Sequence, residues 1–198
     1  EPLTMKRFYI LIFVIATFHN SFSQEKKASK EVDYQFDGKI SREVLENYLA
    51  RSSTFGSLLH LTLEDDLRMI KNTGVKFAGR AIWMWGGESK IDELVKKGQP
   101  FAKKIHEIDP DIILQGAIFE VVTKDINNVA IPESVFEEFG VPKEPRNFSY
   151  KAMLYPFGHR HNHWSKDSSV PDMSRLETRM WFFYVAKRWI DMGIEAIH

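Results

Sequence analysis

The sequence predicts an α/β fold with its strands in a parallel sheet, and two observations carry that prediction. Helical stripes alternate with short apolar runs along the chain, and glycine or proline marks the junctions. The last such unit, a helix ending at Gly193 followed by Ile194-Glu195-Ala196-Ile197-His198, is the kind from which parallel sheets are assembled.

The N-terminus reads differently. After Met5 come Lys6-Arg7, an apolar run over 8–18, and a polar stretch with Ser21 and Ser23 in a small-x-small arrangement. This is the pattern of a secretory signal peptide cleaved before Gln24. The run is shorter than the roughly 20 residues a spanning helix needs, so no stable membrane span is expected after cleavage. The expected localisation is secreted or periplasmic. Residues 1–23 are thus assigned to the leader and upstream residues, 24–36 to a flexible linker, and 37–198 to one folded domain.

Within that domain, Ser41 is placed to cap a helix over about 42–51, with Val44, Leu45, Tyr48 and Leu49 as its apolar stripe. Thr62 with Asp65 opens a second helix, whose face is Leu67, Met69 and Ile70 and which ends at Gly74. Residues 75–85 form an apolar run broken by Lys76 and Arg80, a buried strand that closes on Gly86-Gly87. Ser89 opens a helical stretch that breaks at Gly98, resumes after Pro100 and stops at Asp109-Pro110. A second buried strand is predicted over 112–122 (IILQGAIFEVV), then irregular chain with a short helix at 133–139 before Gly140. A further strand is possible near 150–155. Ser174 and Glu177 match a capping box for the last helix, which carries Leu176, Met180, Phe183, Tyr184, Trp189 and Ile190.

Composition narrows the function classes. Lys+Arg and Asp+Glu both number 27, and removal of residues 1–23 leaves 25 against 26. A neutral chain lacks the basic footprint of a nucleic-acid binder, so no nucleic-acid partner is expected. The chain has no cysteine, which excludes disulfides and thiolate metal sites. It has no phosphate-cradling glycine loop and no G-x-S-x-G elbow. No cofactor is expected.

In parallel α/β folds, function gathers in the loops after the C-terminal ends of strands. Three such places stand out: Trp83, Trp85 and Glu88 around Gly86-Gly87; Glu120 with Thr123 and Lys124; and His198, with Glu195 inside its strand. Glu120, expected on a buried strand, is either paired, with Arg80 as the natural partner, or raised in pKa and fit for acid catalysis. Trp83, Trp85 and Trp164 could each stack on a sugar ring; core packing suits Trp83 better, and Trp85 suits either role equally well. The stretch Tyr155-Pro156-Phe157-Gly158-His159-Arg160-His161-Asn162-His163-Trp164 lies in a long loop and holds three of the seven histidines. Loops of that length are usually functional or disordered. His159, His161 and His163 suit substrate contact, a metal ion completed by Asp167 or Asp172, or plain solvation.

The segments Asp37-Gly38-Lys39-Ile40-Ser41, Lys76-Phe77-Ala78-Gly79-Arg80-Ala81, Asp109-Pro110-Asp111-Ile112-Ile113-Leu114-Gln115 and Gly193-Ile194-Glu195-Ala196-Ile197-His198 together resemble secreted bacterial glycoside-hydrolase-like proteins. The resemblance covers about 37–198. It implies a (β/α)8 TIM-barrel-like fold, incomplete here as the N-terminal portion of the barrel, because such a barrel takes about 250 residues. It implies a carbohydrate-active hydrolase, with Glu120 as a catalytic carboxylate and Arg80, Trp85, Glu88, His159, His161, His163, Trp164 and His198 contacting a poly- or oligosaccharide. Glycosidases of this kind use two carboxylates, and the second is expected outside these residues. The alternatives are a non-catalytic glycan-binding protein and a metal-dependent hydrolase centred on the histidine loop.

Overall fold

A computed structural model describes residues 41–57, 59 and 63–198. The predicted leader, the linker, Asp37-Gly38-Lys39-Ile40 and the start of the second helix at Thr62 lie outside the described residues.

Four strands form one parallel sheet: β1 (Ser52–Thr54), β2 (Phe77–Ile82), β3 (Ile113–Gly116) and β6 (Ala196–Ile197), in the order β1-β2-β3-β6. Each strand pairs with the next sheet strand along the chain, so the sheet is wound in one direction and never reverses. Helices make the crossovers that parallel neighbours require. The first helix, α1 (Arg42–Ala50), precedes β1; α2 (Leu63–Thr73), α3 (Ile91–Ile108) and α5 (Leu176–Met192) follow β1, β2 and β3 respectively, with the short α4 (Glu133–Glu138) in the β3–β6 connection. The helix α3 packs against both α2 and α5, and Ile105, Leu114, Trp181 and Trp189 are buried in the layer between helices and sheet.

Several elements follow from local chemistry as expected. The Ser41 hydroxyl accepts from the Val44 N–H at 3.2 Å and caps α1. Gly74, Gly140 and Gly193 all lie just past helices with positive φ. Asp109 ends α3 in extended backbone.

Other expectations are corrected. Of the α1 stripe only Tyr48 is buried; Leu45 and Leu49 are exposed. Asp65, whose expected partner Thr62 lies outside the described residues, accepts from Arg68 at 2.7 Å. The β1 strand was not foreseen, because Ser52-Ser53-Thr54 carries no apolar signal. Helix α3 runs unbroken through Gly98 and Pro100. Glycine and proline cost helices about 1 and 3 kcal/mol, yet Ile91, Gly98, Ala102 and Ile105 lie on one buried face. Close approach explains the glycine: a Cβ on Gly98 would fall 2.3 Å from Met192 Sδ on α5. The two chain lengths predicted as long strands are shortened. Residues 112–122 split into β3 and the short β4 (Val122–Thr123), which pairs antiparallel with β5 (Ser168–Ser169) in a separate sheet. Residues 150–155 hold a 3-10 turn over Tyr150–Met153, not a strand.

The capping box of α5 does not form. Asp172 Oδ1 takes both the Ser174 N–H and its hydroxyl, at 2.9 and 2.7 Å. Glu177 accepts both guanidinium arms of Arg146, at 2.7 and 2.9 Å, and the Ser149 N–H at 2.8 Å.

At the N-terminal ends of the strands, Lys76 pairs with Asp109 at 2.5 Å and Asp111 at 3.7 Å, while His106 meets Glu195 at 2.8 Å. Glu195 Oε2 also accepts from the Leu114 N–H at 2.8 Å. These pairs fasten the strand entries, so Glu195 has a structural partner at the end opposite the strand exits. Among the described residues, no helix is long and apolar enough to cross a membrane.

Candidate functional site

At the other end of the sheet, all four strands contribute to one open cleft of about 950 Å³. Thr54, Phe55 and Gly56 come from the end of β1; Arg80, Trp83 and Trp85 from the end of β2; Phe119 and Glu120 follow β3; His198 follows β6. Convergence of strand ends is the geometry in which parallel α/β proteins place their ligands.

The walls are aromatic. Phe119 is the hub: its ring meets Trp83 at 5.8 Å, Trp85 at 5.3 Å and His198 at 6.3 Å between centroids. Trp85 in turn meets Trp164 edge-on at 4.9 Å, and His163 packs against Trp164 at 4.6 Å. Most of these contacts are edge-to-face, the arrangement that ring quadrupoles favour. Trp85 and Trp164 nevertheless keep 45% and 40% of their surface exposed, so their rings are supported from one side and open on the other.

Two hydrogen bonds fix this surface. The Trp83 indole N–H donates to the Gly56 carbonyl at 2.5 Å, and the Trp164 indole N–H donates to the Glu120 carbonyl at 3.2 Å. The β4–β5 pairing and the bond from the Lys124 N–H to the Asp167 carbonyl hold the histidine loop against the chain that follows β3. That pairing is why Trp164 reaches Trp85 although it lies far along the sequence.

Charge in the cleft is sparse. Arg80 carries a φ of +54°, a left-handed conformation rare for a side-chain-bearing residue, inside a strand whose register slips between Ala78 and Ile82. Its guanidinium lies 5.4 Å from the centre of the Phe119 ring. Glu120 is exposed. The expectation of a buried Glu120 on a strand therefore fails, because β3 ends at Gly116 and residues 117–121 are loop. Arg80 and Glu120 share the cleft without forming an ion pair.

Of the residues singled out in the sequence, Arg80, Trp85, Glu120 and His198 line the cleft, and Trp164 and His163 adjoin it. Glu88 does not reach it. It is 1% exposed, and its carboxylate accepts from the Thr123 N–H and hydroxyl, which ties two loops together beneath the aromatic layer. Burial raises the Glu88 pKa, opposed by the two bonds from Thr123. His159 is exposed on the loop, and His161 is turned to the Tyr155 carbonyl at 2.8 Å. The three histidines thus do not converge, and among the described residues no group of three His, Asp or Glu side chains is placed to hold a metal ion. Sequence reasoning missed Phe119 and the 54–56 turn and read Trp83 as core. Position was the available signal for Phe119: it stands beside Glu120 just past a strand.

No family model and no curated protein sequence matches this chain. Among solved structures, a maltogenic alpha-amylase, AmyB from Thermotoga neapolitana, matches at 14% identity with a TM-score of 0.43. The match covers 74% of this chain and 37% of the amylase chain. Similarity at that level does not by itself establish a shared activity.

Proposed function

We propose that this chain forms the sugar-binding cleft of an exported, carbohydrate-active hydrolase of (β/α)8-barrel type. The observation that carries the proposal is the half-exposed aromatic surface, Trp85 and Trp164 seated on Phe119, at the shared C-terminal end of four parallel strands. A pyranose presents an apolar C–H face that such rings can cover, while Arg80, Glu120 and His198 supply hydrogen bonds to its hydroxyls. The barrel part of the proposal rests on strand order: doubly wound sheets reverse direction, whereas a closed barrel adds each strand beside the last. Export rests on Lys6-Arg7, the apolar run and the Ser21/Ser23 pair alone.

In this reading Glu120 is the first of the two carboxylates that glycoside hydrolysis uses. A second reading, a non-catalytic glycan-binding protein, is favoured by one observation: among the described residues lining the cleft, Glu120 is the one carboxylate.

The test is a panel of poly- and oligosaccharides titrated against the purified chain, with reducing-end release followed in parallel. Binding that weakens about tenfold or more, some 1.4 kcal/mol, in Trp85→Ala supports the cleft as the sugar site. Release that stops in Glu120→Gln while binding persists assigns Glu120 to catalysis; binding without release by the unmodified protein supports the second reading. Binding indifferent to Trp85 would remove the cleft from both.

A further inference from the structure

Hydrogen bonds to sugar hydroxyls use only part of what one cleft residue, Arg80, offers. Arg80 sits between buried Gly79 and Ala81, in a strand where regular pleating would put its side chain among core residues. The register slip between Ala78 and Ile82 and the left-handed backbone at Arg80 lift it out of the sheet and into the cleft. Bulges re-aim side chains in this way beside functional sites, and a side-chain-bearing residue keeps such a backbone only where its surroundings impose it.

What the bulge delivers is a planar cation over the Phe119 ring, 5.4 Å from its centre. Among the described residues no carboxylate pairs with Arg80 and no side-chain acceptor takes its N–H groups. The guanidinium fork matches planar or tetrahedral oxyanions in two-point contact, and the Phe119 ring beneath it limits the positions it can take. His198, edge-on to the same Phe119 ring, adds a second donor beside it. A neutral sugar has no group that uses this fork fully.

Resting on the carbohydrate reading, the geometry points to an acidic saccharide as the ligand, one bearing a carboxylate or a sulfate ester, with Arg80 as the residue that reads its charge. Trp85 and Trp164 hold the sugar ring, and Arg80 selects the anionic member of otherwise similar sugars.

The experiment compares two matched pairs of probes by calorimetry on the full chain. One pair is oligogalacturonate and its methyl-esterified, neutral form; the other is a sulfated galactan oligosaccharide and its desulfated form. In at least one pair the acidic member is expected to bind about tenfold tighter than the neutral one, as a charge-assisted two-point bond implies. Which pair shows it separates carboxylate from sulfate. The preference should shrink with added salt. It should fall to within about twofold in Arg80→Asn, a residue that tolerates the left-handed backbone, and fall partway in Arg80→Lys, which keeps the charge and loses the fork. Equal binding within both pairs, with Trp85 still required, overturns the acidic ligand and leaves the carbohydrate cleft standing. A preference that survives both substitutions in folded protein overturns the role of Arg80. Binding to none of the four probes overturns the acidic ligand and counts against the cleft itself.

Discussion

Both carboxylate oxygens of Glu88 are occupied by a single residue, Thr123, whose N–H donates at 2.6 Å and whose hydroxyl donates at 2.5 Å. The pair joins the turn after β2 to the chain after β3, directly under the aromatic layer. Gly86 completes the junction: with φ at +73°, a Cβ there would lie 2.9 Å from the Thr123 methyl. The cleft is therefore supported from below by a buried charge clasp.

That clasp gives a pH dependence with a definite sign. Burial holds the Glu88 carboxyl above its ordinary value of 4.5, so between those two values the folded protein binds more protons than the unfolded chain. The associated stability is complete below pH 4.5 and is lost as pH rises through the folded value. Melting temperatures of the unmodified protein and Glu88→Gln, compared across acidic to neutral pH, should show the advantage of the former shrinking as pH rises. A difference that stays level or widens would contradict the raised value.

Arg146→Ala should destabilise the fold by about 2 kcal/mol, since hydrogen bonds to charged groups are worth ~1.5–3 kcal/mol. It strips both guanidinium bonds from Glu177, which is only 7% exposed on α5. Glu177→Gln should cost less, because its amide oxygen still accepts from Ser149. Denaturant midpoints rank the two; Arg146→Ala as the milder change would mean that Glu177 does not depend on this partner.

Gly98→Ala tests the close passage of α3 and α5. Helix propensity alone favours alanine by about 1 kcal/mol, but the added methyl meets Met192, which is buried at 4% exposure. Overpacking typically costs about 1–3 kcal/mol, so a net loss is expected, relieved in the Gly98→Ala, Met192→Ala pair through non-additivity. A higher melting temperature for Gly98→Ala alone would show that the helices are free to move apart.

These residues also show how far the chain could be read before its structure. The parallel sheet was legible because helix–glycine–strand punctuation is local and repeated. Helix α3 was misread as two because Gly98 and Pro100 are breakers by propensity, while the spacing of Ile91, Ala102 and Ile105 kept one phase through them. The capping box at Ser174 and Glu177 had the right letters, but Asp172 and Arg146 claimed both side chains, and the competing partner Arg146 lies in another segment. In the cleft, Trp85, Glu120 and His198 could be picked out as strand-end residues, and Arg80 as a charge breaking an apolar run. Phe119 was missed although it stands beside Glu120, since its role depends on the loop that replaces the expected strand beyond Gly116. Glu88 was placed in the right loop and on the wrong side of it, as a buried anchor where a ligand contact was expected.

The one-directional winding of the sheet bears on how the molecule assembles during synthesis. Every strand finds its neighbour in the preceding unit, so β2 can dock on β1, and β3 on β2, before the rest of the chain has left the ribosome. Two pairings wait for a distant partner: β4 with β5, which carries Trp164 back to Trp85, and β3 with β6, which brings His198 to the cleft. The first three strands can thus be in place early, and the cleft is finished last, when β6 docks on β3 and sets His198 against Phe119.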